Sequence, residues 1–234
     1  MQLFFNSNIN TTTKDIIFDK IESRHIVKVL RKKEGDILKI TNGKGSLFTA
    51  KISFASDKKC TAELVKKEIK NKTWNYYLHI AIAPTKNNDR TEWFLEKATE
   101  IGIDEITPII CQNSERRVVK LDRFEKIIQS AMKQSLKFHL PKLNEPLKFN
   151  EFINQNFEGT LCIAHCVDDE KNHLKNIKEP KKITILIGPE GDFSTQEIER
   201  ALSKKYIPIS LGKSRLRTET AALVATNIVS LINQ

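Results

Sequence analysis

From residue 76 onward, short apolar runs alternate with segments of helical periodicity, and that alternation leaves few architectures open. "YYLHIAIAP", "DEITPIIC", "TLCIAH", "ITILIG" and "IPISLG" each read as a strand buried on both faces. Between them, "DRTEWFLEKATEIG" and "LDRFEKIIQSAMKQSL" carry helical spacing. Asp89 with Glu92, and Asp122 with Glu125, stand at capping-box spacing, and Gly102 holds a stop position. "STQEIERALSKK" and "TETAALVATNIVSLIN" close the series as two further helices. Strand–helix alternation predicts an α/β fold, with a mostly parallel sheet covered by helices on both faces.

The first 70 or so residues have a different texture. From "GDILKITNGKGSLFTAKISF" onward, short alternating runs are broken by turn residues; Asn42-Gly43 is a hairpin signal and Gly35-Asp36 a turn. "CTAELVKKEIK" continues as a strand, and 23–31 forms one short helix with Ile26, Val27 and Leu30 on a stripe. A small β-rich module with one packed helix is expected over 1–72, a boundary in "KNKTWN", and the α/β domain over 73–234. Hydrophobic residues at 39% suffice for a core, which argues against wholesale disorder. No apolar run approaches the roughly 20 residues that span a bilayer, and "MQLFFNSNIN" lacks the features of a signal peptide. A cytoplasmic protein without membrane attachment is expected. Cys60, Cys111, Cys162 and Cys166 are scattered as reduced thiols would be. Cys162, His165 and Cys166 lie close together, but a strand turns successive side chains to opposite faces and no second ligand cluster accompanies them, so no metal is expected. Lys and Arg number 39 against 29 acids, a net charge of +10 that favours a polyanionic partner, above all nucleic acid.

Two turns come off the C-terminal ends of predicted parallel strands, the edge where open α/β sheets bind ligands: "IGPEGDF" (187–193) and "LGKSRLRTETA" (211–221). The first has the outline of a phosphate loop but lacks its lysine, and Glu190 and Asp192 would repel an anion. A neutral or cationic ligand held by backbone groups suits it better, with glycines permitting close approach. On spacing alone, an ordinary strand–helix turn capped by Ser194 with Glu197 is the preferred reading.

Taken together, "IGPEGDFSTQEIE" and "LGKSRLRTETAALVA" resemble the SPOUT class of RNA methyltransferases, and more narrowly the bacterial 16S rRNA (uracil-N3) methyltransferases. The resemblance covers nearly the whole chain. "RHIVKVLRKKEGDIL" and "NGKG" are similar to that family's PUA-like barrel, and "TEWFLEKATEIGIDEITPI", "SERRVVK" and "AMKQSLKFHLP" to its successive segments. Asp192 stands where the family usually has a second glycine, and Ser214 and Arg215 where it has an arginine and an aliphatic residue. The resemblance implies a SPOUT-type parallel sheet with a C-terminal trefoil knot, preceded by a small PUA-like β-barrel, in a homodimer joined through the methyltransferase domain. S-adenosylmethionine is the implied cofactor, and 16S rRNA or the small ribosomal subunit the implied partner. The implied cofactor contacts are Ile187, Gly188, Pro189, Glu190 and Gly191 on the first turn, with Leu211, Gly212, Leu216, Arg217, Thr218 and Thr220 on the second.

Methylating a uracil ring nitrogen requires loss of its proton and stabilisation of charge spreading onto the ring oxygens. Arg217 is the candidate for the second task, with a phosphate contact or a salt bridge to Glu219 as alternatives. Glu219 is a candidate base, or it orients the turn from the first turn of the last helix. Arg31, Lys32, Lys33, Arg116, Arg117 and Lys133 are candidates for gripping RNA, each equally readable as solvated charge. A non-catalytic RNA-binding protein is the rival reading.

Overall fold

The structure is a computed structural model and describes residues 1–10, 12–167, 170–178 and 180–234. The chain divides into two compact units: Met1–Lys72 with Met132–Leu140, and Thr73–Ala131 with Pro141–Gln234.

The first unit carries β1 (Leu3–Phe5), β2 (Asp15–Ile17), β3 (Ile37–Thr41), β4 (Ser46–Phe54) and β5 (Thr61–Ile69). They form a five-stranded sheet in the order β1-β3-β4-β5-β2, with β1 parallel to β3 and the other pairs antiparallel. The Asn42-Gly43 hairpin is present, with Gly43 at φ 71°. The expected helix starts earlier than its apolar stripe suggests: α1 (Lys20–Arg24) is capped by Asp19 and passes into a π-helical turn, His25–Val29. Ile26 from that turn is fully buried among Phe4, Phe18, Ile40 and Phe48. Ser23 Oγ fastens α1 to the sheet, donating to Phe18 O and accepting from Cys60 N. Met132–Leu140 joins the same unit through backbone bonds from Gly45 N to Phe138 O and from Leu140 N to Gly43 O.

The second unit contains β6 (Tyr77–Ile82), β7 (Glu105–Ile110), β8 (Lys142–Leu143), β9 (Leu147–Lys148), β10 (Thr160–Ala164), β11 (Asn172–His173), β12 (Lys182–Ile187) and β13 (Ile207–Ser210). Its helices are α2 (Asn88–Ile101), α3 (Leu121–Gln134, whose last residues belong with the first unit), α4 (Phe149–Ile153), α5 (Thr195–Ser203) and α6 (Thr218–Ile232). The sheet order is β11-β13-β10-β12-β6-β7-β8, with β9 also on β7, and every pairing is parallel. Alternation splits the strand side chains. Ala81, Ile109, Ile163 and Leu186 pack with Phe149 and Phe152 of α4 and Ile198 and Ala201 of α5. Their neighbours point the other way, where α6 packs on β6, β12 and α2. The expected parallel sheet and the β-rich N-terminal module are therefore both present.

Two expected caps sit elsewhere. Asn87, not Asp89, caps α2, its side chain accepting from Asp89 N. Asp122 lies inside the first turn of α3 rather than before it. In both cases a carboxylate in the first turn, which the helix dipole favours, imitates a cap. The Ser194–Glu197 capping box opens α5 as expected.

Candidate functional site

The edge of the sheet fixes where the two glycine-bearing turns meet. β12, β10 and β13 are neighbours, so their C-terminal ends deliver residues 188–193, 165–166 and 211–217 to one place. A cleft of about 290 Å³ opens there, walled by Ile187, Gly188, Pro189 and Glu190 on one side and Leu216, Arg217 and Thr218 on the other. A broader space of about 610 Å³ adjoins it, reaching Ser210, Leu211 and Gly212 and sharing Ala164, Cys166, Asp192, Arg215, Leu216 and Ala221. Both lie in the size range of small-molecule sites.

The first turn is built around close approaches. A Cβ on Gly188 would stand 3.0 Å from the Phe193 ring, which is itself buried in the core. Gly191 faces the other way: its Cβ would stand 3.2 Å from Asn113 Cβ, and it walls neither space. Asn113 Nδ2 donates to the carbonyls of Gly191 and Asp192, at 3.2 and 3.1 Å.

The two acids that spoil a phosphate loop are turned onto backbone donors. Asp192 occupies the left-handed region at φ 63°, and an aspartate tolerates that conformation better than most residues. Its Oδ2 accepts from Cys166 N at 2.7 Å and its Oδ1 from Phe193 N at 2.9 Å, so it ties the first turn to the end of β10. Glu190 Oε1 accepts from Lys86 N at 3.0 Å, while its Oε2 is buried without a hydrogen-bond partner. Partial burial of its sulfur, with the Asp192 charge adding and the Arg215 and Lys171 charges opposing, pushes the Cys166 thiol up.

The second turn ends at Arg217, the N-cap of α6, whose side chain is exposed at the cleft. Gly212 permits the turn, with φ 142° and open space where a Cβ would be. Glu219 is not at this cleft. It is buried on the α2 side, with Arg90 Nε 3.8 Å from its Oε1 and its Oε2 lacking a hydrogen-bond partner. Thr220 goes with it, into a concavity shared with Asp89, Arg90 and Trp93. The helical turn explains the separation, since Glu219 and Thr220 point away from the face that presents Thr218 and Ala221.

The cationic candidates divide as well. Arg31 is exposed in a left-handed conformation (φ 53°), followed by half-buried Lys32 and exposed Lys33. Lys133 Nζ reaches Glu22 Oε1 at 3.4 Å within the first unit. Arg116 is a scaffold residue: its guanidinium donates to the carbonyls of Thr85 and Lys86, bracing the loop that holds Glu190. Arg117 stays exposed, with one bond to Gln112 O. Residues 164–166 and Asn113 belong to the site although no motif marks them; their position at strand ends was the available signal. Cys162 is buried, Cys166 exposed, and among the described residues no group of three or more His, Cys, Asp or Glu side chains gathers as a metal site.

The cleft suits a nucleoside bearing a positive centre. Ile187, Leu216 and Ala221 offer apolar walls, Gly188 presents backbone to the cleft, and Glu190 supplies a buried carboxylate oxygen without a hydrogen-bond partner. Residues 72–230 match the family model of the RNA methyltransferase domain, and residues 18–65 that of the RNA methyltransferase PUA domain. The chain is 36% identical over 212 residues to ribosomal RNA small subunit methyltransferase E of Buchnera aphidicola, covering 87% of this chain and 83% of that protein. A probable rRNA methyltransferase from Porphyromonas gingivalis superposes with a TM-score of 0.92 at 39% identity, over 100% of this chain and 98% of that one. Ribosomal RNA small subunit methyltransferase E from Neisseria gonorrhoeae, solved bound to S-adenosyl methionine, superposes with a TM-score of 0.87 at 26% identity, over 99% and 98% of the two chains.

Proposed function

The chain belongs to the RNA methyltransferase family, and on that premise we propose that it methylates ring N3 of one uridine in the 16S RNA of the small ribosomal subunit. The observation that carries the proposal is the cleft between residues 187–190 and 216–218, with Gly188 on one wall and Arg217 on the other. S-adenosylmethionine, bound to a relative of the same fold, supplies a methyl group already activated on a sulfonium. The work left to the chain is positioning and charge stabilisation. Ile187, Gly188, Pro189 and Leu216 line the cofactor's place, with Leu211 and Gly212 in the adjoining space. Glu190 and Asp192 hold the turn through backbone bonds. Arg217, exposed at the cleft, is the donor for the ring oxygens that gain negative charge as N3 releases its proton to solvent and takes the methyl group, the sulfonium leaving as a neutral thioether. Glu219, away from the cleft, anchors the start of α6 to Arg90 of α2.

Arg31, Lys32 and Lys33 of the PUA-like unit contact RNA phosphates. The C-terminal trefoil knot, a homodimer through the methyltransferase domain and work in the cytoplasm complete the reading by family resemblance. No described helix is long and apolar enough to cross a membrane.

Incubation with methyl-labelled cofactor and small subunits lacking the modification tests the proposal. Label on N3 of a single uridine is the expected result. Label on a ribose 2′-hydroxyl, or none despite cofactor-induced thermal stabilisation, overturns it.

A further inference from the structure

A second concavity, of about 820 Å³, lies in the methyltransferase unit beyond the cofactor cleft. It is enclosed by the end of β7, the start of α4 and the outer face of α5, and presents Gln112, Arg117, Lys148, Asn150, Gln196 and Arg200. Arg117, Lys148 and Arg200 come from three separate elements and are all exposed. Two are held in orientation: Arg117 Nη2 donates to Gln112 O at 3.0 Å, and Arg200 Nη1 to Asn150 Oδ1 at 2.6 Å. Each bond employs one of a guanidinium's five donors.

Two carboxylates share the groove, and only one faces its solvent. Glu197 is buried; its Oε1 accepts from Gln112 N, and its Oε2 from Ser194 N and Oγ. Its charge is therefore engaged by backbone and cap. Glu199 is exposed, which leaves three outward cations against one outward acid.

The groove and the cleft are the two sides of a single turn. Residues 188–190 and 192 wall the cleft; Ser194, immediately after, walls the groove. Asn113, beside Gln112, is bonded to the carbonyls of Gly191 and Asp192 at the crest between them. An RNA strand that presents its target base at the mouth of the cofactor cleft can lead its neighbouring nucleotides over this crest and into the groove. The geometry points to the groove as the seat of the single-stranded RNA flanking the target nucleotide, with Arg117, Lys148 and Arg200 on its phosphates and Gln112, Asn150 and Gln196 facing its sugars and base edges. The inference rests on the activity proposed above for the same unit.

The test measures binding of the full-length protein to a labelled single-stranded RNA oligonucleotide of mixed sequence across a salt series, with S-adenosylmethionine affinity measured in parallel. Arg117→Ala combined with Lys148→Ala should weaken RNA binding by about tenfold or more. It should also flatten the log–log salt slope by about 1.4, since each phosphate contact on a single strand contributes about 0.7. Gln196→Glu guards against a trivial folding defect, because an acid in the first turn of α5 favours the helix dipole. It should nevertheless weaken RNA binding while cofactor affinity stays unchanged. RNA affinity and salt slope equal to the unaltered protein's in both variants would overturn the inference. Failure of the unaltered protein to methylate ribosomal RNA would instead remove the proposed activity, a result the binding series does not depend on.

Discussion

Asp192 shows how one residue can occupy a glycine's position without being a glycine. Its left-handed backbone is strained by about 1–2 kcal/mol for an ordinary residue. The carboxylate offsets this by accepting from Cys166 N and Phe193 N. Asp192→Ala loses both bonds and keeps the strain; Asp192→Gly loses the bonds but relieves the strain. Urea unfolding should therefore rank the aspartate above glycine and glycine above alanine, the last two separated by about 1–2 kcal/mol. Equal stabilities for the two variants would show that φ 63° is not what matters there. Arg217 makes a different kind of prediction. Arg217→Ala should lower the single-turnover rate about 10²–10³-fold at saturating RNA, the typical loss for one charge-stabilising donor. Lysine should restore little of it, lacking the planar fork. A normal rate accompanied by weak RNA binding would make Arg217 a phosphate contact.

At the level of elements, the register of β6 and β7 buries a polar network at the opposite end of the sheet from the site. His79 pairs with Glu105 across the strands, and Ala81 with Thr107. Asn144 Nδ2 donates to Glu105 Oε1 and to Thr107 Oγ1, and Tyr77 OH donates to Glu105 Oε2. The Thr107 hydroxyl and His79 Nε2 share a hydrogen bond of 2.7 Å in which either can be the donor. Burial pushes His79 down to about 4, the Lys142 charge adding to this and the Glu105 charge opposing it. Burial alone would raise Glu105, but hydrogen bonds from Asn144 and Tyr77, then the His79 and Lys142 contributions, bring it down to about 2. Both folded values lie below the unfolded ones, so the unfolded state takes up protons first as pH falls. Stability should decline from about pH 6.5 to 4 through His79, then from about 4.5 to 2 through Glu105. The urea midpoint of His79→Gln, followed against pH, should lose the upper part of that decline; an unchanged slope above pH 4.5 would exonerate the histidine.

The same elements show what a sequence can disclose. The long strands were legible because β-branched runs such as "ITILIG" carry their own signal. β8, β9 and β11 have two residues each, too few for any periodicity, and exist because a parallel neighbour offers open hydrogen bonds. At the sheet edge, "GPEG" and "LRTETA" are the turns that meet across the cleft. Which way each side chain points was not legible: Glu219 and Thr220 adjoin Thr218 in sequence but project from another face of α6, and Arg116 adjoins Arg117 but spends its guanidinium on carbonyls.

For the molecule as a whole, the order of its strands sets a timetable. β6, among the first elements of the second unit to be synthesised, has β12 and β7 as its neighbours, and residues 77–82 lie against 182–187. β10 likewise waits for β12 and β13. Such non-local parallel pairing makes for slow folding, because a long loop must close before any contact rewards it. On the ribosome, the central strand pair cannot form until residue 187 has cleared the exit tunnel, and the cleft not until α6 has followed. The first unit's sheet, complete by Ile69, is free to form much earlier. Pulse proteolysis of stalled nascent chains should find the sheet strands up to Ile69 protected while the second unit is still cut, with protection of β6 arriving only after residue 187 has emerged. A catalyst of ribosome maturation built this way has the sheet of its first unit in place on the ribosome while its cleft has still to close.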